Sequence, residues 1–187
     1  MKTRCDWANN ALDFYKKYHD EEWGVPEHND KKLFEMLILE GAQAGLSWET
    51  ILKRRDVYKK TFYNYDIKKI SKMTDNDLNK ILNITENPII RNKLKVYSVQ
   101  KNALAFLEIQ KKFGSFDKYI WNFIDNKQRV NHYKNSSEIP AFSKLSEKIS
   151  KDLKKRGFSF IGKTIIYAFM QAIGMVDDHL ENCFCRE

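Results

Sequence analysis

One carboxylate closes the most apolar stretch of this chain: Leu33, Phe34, Met36, Leu37, Ile38 and Leu39 run directly into Glu40. A carboxylate at the end of a buried helical face is costly unless something pairs with it. No Lys or Arg lies between Lys32 and Lys53, so no local cation neutralises it. Small residues follow in Gly41-Ala42-Gln43-Ala44-Gly45, a turn at which a ligand can approach the backbone closely. An acid in such a setting suits a positive or proton-donating ligand. On this segment alone, it equally suits an exposed glutamate at a helix end.

A second set of residues could hold a metal. Cys5 and His19 lie early in the chain, and His179 and Cys183 lie late. His179 and Cys183 are four apart, so on a helical turn they face one side. Two cysteines and two histidines are a normal tetrahedral zinc set. Four protein ligands leave no position for water, so such a site would be structural and would join the two ends of the chain. The spacing matches no classical finger. A core Cys5, a hydrogen-bonded His19 and a frayed tail fit the same residues. Cys185 is left over as a competing donor. His179-Leu180-Glu181 also resembles the His-x-Glu of zinc base deaminases, but those need Pro-Cys-x-x-Cys downstream, which is missing here.

A third set is aromatic: Trp7, Tyr15, Tyr18, Trp23 and Trp48 flank the segment around Glu40. Rings can sandwich a flat purine while an acid reads its edge. The alternative is core packing, which is the expectation for Trp7 and Trp23.

Helices must position these groups. Only 7 Gly and 3 Pro occur in 187 residues, and no convincing sheet is visible. Asp30 is placed to cap a helix to about Ala44, stopped by Gly45. Ser47 is placed to cap another through Trp48, Ile51 and Leu52 to about Phe62. Thr74 and Asp77 read as a capping box before a helix to about Leu82. A long helix is expected after Pro88, with Ile90, Leu94, Tyr97, Leu104 and Leu107 on one face and Gly114 at its end. Residues 116–124 form a short aromatic helix, 143–156 a basic amphipathic one, and 163–173 a central core helix. Residues 126–141 are polar and read as loop.

One domain, or two small lobes around a shared core, suits the length. The 33 basic and 25 acidic residues leave a net charge of +8, which favours a polyanionic partner. Many of these cations will simply lie on solvated faces. No membrane-length apolar run or secretory signal is seen, so a cytoplasmic protein is expected. Three cysteines suit thiols or metal ligation better than a disulfide framework.

Taken together, Cys5-Asp6-Trp7, the run from Tyr18 to Pro26, Leu39-Glu40-Gly41-Ala42-Gln43-Ala44-Gly45-Leu46-Ser47-Trp48, Lys154-Lys155-Arg156-Gly157-Phe158, Phe169-Met170-Gln171-Ala172 and Asp178-His179 form a specific series. The chain closely resembles the 3-methyladenine DNA glycosylase I family over nearly its whole length. The resemblance implies an all-α, helix-hairpin-helix glycosylase-like fold. It implies one structural Zn2+ per chain, held by Cys5, His19, His179 and Cys183. Glu40, Tyr18 and Trp48 would form the base pocket, with Tyr15 at its edge. Gly45 and Leu46 would enter the gap left by an extruded nucleotide, and Arg91 and Lys93 would grip phosphates. The family usually has Gly where this chain has Pro88, which removes one N–H donor from the hairpin.

The implied activity is monofunctional hydrolysis of 3-methyladenine from double-stranded DNA by a monomer, without lyase chemistry, since no Lys lies around Glu40. A cationic methylated base would gain up to about 4 kcal/mol from a carboxylate at ~4 Å and an effective dielectric near 20. Neutral adenine would gain no comparable attraction. Two other readings compete. One is a zinc-stapled, basic binding module without catalysis. The other is a glycosylase with a broader alkylpurine range.

Overall fold

The computed structural model describes residues 2–86 and 88–186. Eleven α-helices are found among them. They are α1 (Asp6–Asn9), α2 (Asp13–Glu21), α3 (Asp30–Gln43), α4 (Trp48–Leu52), α5 (Arg55–Thr61), α6 (Ile67–Ser71), α7 (Asp75–Leu82), α8 (Lys93–Phe113), α9 (Phe116–Trp121), α10 (Lys144–Lys155) and α11 (Lys163–Ala172). None is long and apolar enough to cross a membrane.

α3 is the central element. Leu33 to Leu39 are all buried, including Glu35, and the helix packs against α4, α8, α9 and α11. Its cap is Asn29, one residue before the expected Asp30: the Asn29 side chain accepts from the N–H groups of Lys31 and Lys32. Asp30 is used elsewhere. Its carboxylate accepts from the backbone N–H groups of Phe116 and Asp117, tying the start of α9 to the start of α3. The rings of Phe34, Phe106 and Phe116 meet above this junction, with centroids 5.2 and 4.2 Å apart.

The expected helix from Ser47 to Phe62 is broken. Ser47 does cap α4, but the chain turns at Lys53 and Arg54 before α5 begins. The turn brings Arg55 back onto two acids. Its guanidinium donates twice to Glu22, both at 2.8 Å, and once to Glu35 at 2.7 Å. A half-buried Arg between two carboxylates fixes α2, α3 and α5 against one another, which a straight helix could not do.

The helix expected from Pro88 starts only at Lys93, because Asn92 caps it by accepting from Lys95 N–H. Its buried face also differs from the expected one. Leu94 is 71% and Leu104 47% exposed, while Val96, Val99, Ala103 and Phe106 face the core. Two apolar stripes compete on this helix, and the smaller side chains fit against α3.

The polar segment 126–141 is not wholly loop. Within it β1 (Arg129–Val130) pairs in parallel with β2 (Val176–Asp177). Gln128 adds to the join by donating to the carbonyls of Gly24 and Gly174. The capping boxes at Thr74–Asp77 and Ser143–Ser146 form as side chain and backbone pairs.

Candidate active site

α2, α3 and α4 converge on an open cleft of about 320 Å³. Glu40 comes from the end of α3, Tyr18 and Tyr15 from α2, and Trp48 from the first residue of α4. The Tyr18 and Trp48 rings lie 5.4 Å apart and tilted by 53°, and Tyr15 stands 6.5 Å beyond Tyr18. Thus all four residues expected at a base pocket meet in one cleft. Trp7 and Trp23, expected as core, do both jobs: they pack on the core and line its wall.

Glu40 is 3% exposed. Its Oε2 is enclosed and has no hydrogen-bond partner among the described residues, and neither does the indole N–H of Trp48. Burial alone pushes the Glu40 carboxyl up to about 8. At neutral pH it is therefore mostly a neutral acid while the cleft holds no cation. Burial also raises the Tyr18 phenol, and Glu40 adds to that rise. The sequence had suggested a resident negative charge; the enclosed geometry instead makes the charge conditional on what enters.

Gly45 adopts φ +76° with open space around it, and the next residue, Leu46, is 40% exposed. The positive φ is what turns this tip away from α3. Arg91, just before α8, and Lys93, its first residue, are both exposed. Sequence reading did not find the residue that joins these parts. Lys95 Nζ donates to the carbonyls of Ala42 at 2.9 Å and Ala44 at 2.6 Å. It thereby satisfies carbonyls at the end of α3, immediately before Gly45 and Leu46. Desolvation lowers its ammonium pKa. No local pattern could reveal this, since the partners are more than fifty residues apart.

Lys95→Met is expected to remove these two charge-assisted bonds, costing about 2 kcal/mol and roughly 5 °C in Tm. Hydrogen exchange at Gly45 and Leu46 should accelerate. Unchanged melting and exchange would show that water serves these carbonyls equally well.

Behind the aromatic wall lie the thiols and imidazoles. One donor atom from each of His19, His179, Cys183 and Cys185 lies within 4.8 Å of the others. Three expected ligands are thus together, with Cys185 rather than Cys5 in the tightest set. Cys5 is fully buried beside it: its N–H points to His19 Nε2 at 3.4 Å, and its Sγ accepts from Leu180 N–H. Burial, with Cys183 nearby, pushes the Cys5 thiol up to about 12. Each imidazole is oriented by a carboxylate. His19 Nδ1 meets Asp20 at 2.8 Å and His179 Nδ1 meets Asp177 at 2.7 Å. Both Nε2 atoms then face inward, the arrangement that prepares histidine for a metal. Gly24 makes room for it, because a Cβ there would stand 2.9 Å from the His179 ring. The donor chemistry and its outer carboxylates fit Zn2+.

This helical scaffold is shared with solved 3-methyladenine DNA glycosylases. The chain superposes on a crystal structure of 3-methyladenine DNA glycosylase I with a TM-score of 0.94 and 43% identity, covering 99% of this chain and 100% of that one. It also superposes on a variant of such an enzyme solved in complex with 3-methyladenine, with TM-score 0.93, 32% identity, and 98% and 97% coverage. A DNA-3-methyladenine glycosylase of Haemophilus influenzae is 45% identical over 186 residues, spanning 100% of this chain and 99% of that protein. The methyladenine glycosylase family profile matches residues 7–186. The chain belongs to the methyladenine glycosylase family.

Proposed function

We propose that this chain hydrolyses the N-glycosidic bond of 3-methyladenine in alkylated double-stranded DNA. Family membership supports the hydrolase class and the substrate. The observation that carries the reading is Glu40, a buried carboxyl without a partner among aromatic rings in an open cleft. The flipped base enters against the rings of Trp48 and Tyr18, with Tyr15 at the edge. Its positive charge drives the proton off Glu40, and the ion pair then holds the base. Neutral adenine cannot ionise the acid in this way, so selection lies in the coupling of base charge to acid charge.

Methylation makes the base a good leaving group. Water adds to C1′, the bond electrons pass to the ring, and neutral 3-methyladenine leaves as the water's proton is released. No Lys lies in the cleft lining, which supports hydrolysis without lyase chemistry. Leu46 fills the gap left by the nucleotide, and Arg91 and Lys93 meet phosphates beside α7 and α8, the pair read as the helix-hairpin-helix.

We assign one structural Zn2+ to His19, His179 and Cys183, with Cys5 as fourth ligand. The inward Nε2 of His19 faces Cys183 Sγ at 3.6 Å and the Cys5 backbone, whereas Cys185 approaches its Nδ1, already held by Asp20. Bound there, the ion would supply folding energy and no reaction step.

Methylated duplex DNA incubated with the protein is expected to release 3-methyladenine and little 7-methylguanine, separated by chromatography. Equal release of both bases would overturn the narrow specificity, and release of neither would overturn the activity.

A further inference from the structure

The cleft has a second polar group whose direction is set from behind. Gln171, on α11, lines the cleft opposite the α3 residues, and α11 packs directly on α3. Its amide is not free to turn. Nε2 donates to Asp178 Oδ2 at 2.8 Å. Asp178 is fully buried and is a hub of acceptors: Tyr167 OH donates to Oδ2 and Asn131 Nδ2 to Oδ1, both at 2.7 Å. Oδ2 thus accepts from both Tyr167 and Gln171, and the NH2 end of Gln171 faces Asp178. The other end, Oε1, takes no donor from the described residues and is not enclosed. Gln171 therefore keeps its amide oxygen as a free acceptor at the cleft, while one of its two N–H donors is taken by Asp178.

We propose that Gln171 is a specificity residue for this reaction, its Asp178-oriented amide oxygen accepting a hydrogen bond from the exocyclic amino group of the bound purine. The proposal rests on the base-pocket reading above and deepens it. Glu40 senses the charge of the base. Gln171 senses which group sits at its six-position: an amino group donates to Oε1, whereas a carbonyl there would set two acceptors against each other. A site built to hydrogen-bond one group rejects an analogue that leaves its acceptor unpaired. Asp178 is a positioning residue, acting only through Gln171.

Binding of free 3-methyladenine and free 3-methylhypoxanthine is measured by quenching of tryptophan fluorescence, in the unmodified protein and in Gln171→Met. Methionine keeps the length and loses the acceptor. The preference for the amino base is expected to fall roughly 10-fold in the variant. An unchanged preference, even with weaker binding of both bases, would overturn the proposal and leave Gln171 a packing residue. A second readout needs no folded variant: with 13C-labelled glutamine, the side-chain carbonyl signal of Gln171 should move when 3-methyladenine binds the unmodified protein. A stationary signal under saturating base would also overturn it. If neither base binds the unmodified protein, the pocket reading itself fails, and that failure is distinct from an unchanged preference.

Discussion

Glu40→Gln is expected to lower release of 3-methyladenine by ~100-fold while making the protein more stable. The substitution is nearly isosteric, so the end of α3 and the rings around it stay packed. It removes the one group that can become negative inside the cleft, and it places NH2 donors where the base also presents donors. The stability gain follows from linkage. Burial holds the Glu40 carboxyl up to about 8 when folded. Unfolded, it titrates near ~4.3. Its contribution to stability is therefore fully present below ~4.3 and is lost as pH rises to about 8. Glutamine escapes this loss. The stability difference between variant and wild type should open between pH 4 and 8 and then stay constant at about 5 kcal/mol, or roughly 10 °C or more in Tm. Catalysis has the opposite slope, since the cationic base must displace the Glu40 proton as it binds: kcat/KM of wild type should rise with pH toward 8. Unchanged release in Glu40→Gln, with a flat Tm difference across that range, would mean that the acid is solvated and the cleft is not the base pocket.

Cys183→Ala should do the reverse, lowering stability severely while leaving pocket residues chemically intact. Cys183 is buried and lies 3.6 Å from His19 Nε2. If it holds Zn2+, losing it opens the site, frees the histidines and releases folding energy that only the bound ion supplied. Metal analysis of purified wild type should find close to one zinc per chain, and of Cys183→Ala almost none, with Tm lowered by more than ~10 °C. Cys5→Ser and Cys185→Ser separate the two candidate fourth ligands: the first should lose metal and the second retain it. Folded, active wild type without zinc would refute the assignment.

The parts of this architecture that were legible in the sequence are those whose causes are local. Thr74 and Asp77 cap each other within one turn, and Ser143 does the same with Ser146. Glu40 was read either at the end of a buried apolar stripe or as an exposed acid at a helix end, and the first holds: it is 3% exposed. The pattern around α8 misled because Leu94 and Leu104 outweigh Val96, Val99 and Ala103 in hydrophobicity, though only the smaller set fits against α3. The break before Arg55 depends on Glu22 and Glu35, twenty and more residues away. The pairing of β1 with β2 joins a polar segment to residues near the far end of the chain. The conditional charge on Glu40 was likewise invisible, since it depends on how completely other elements exclude water.

The cluster behind the aromatic wall also sets an order of assembly. His19 and His179 touch across 160 residues of chain. Closing so long a span costs much entropy before any contact rewards it. During synthesis, α2 exists long before Cys183 emerges. Tyr18, the neighbour of His19 on that helix, therefore remains without its final support until residues 179–183 have been made. An interrupted chain can build the central helix and its acid, but the stacking wall beside them is completed last.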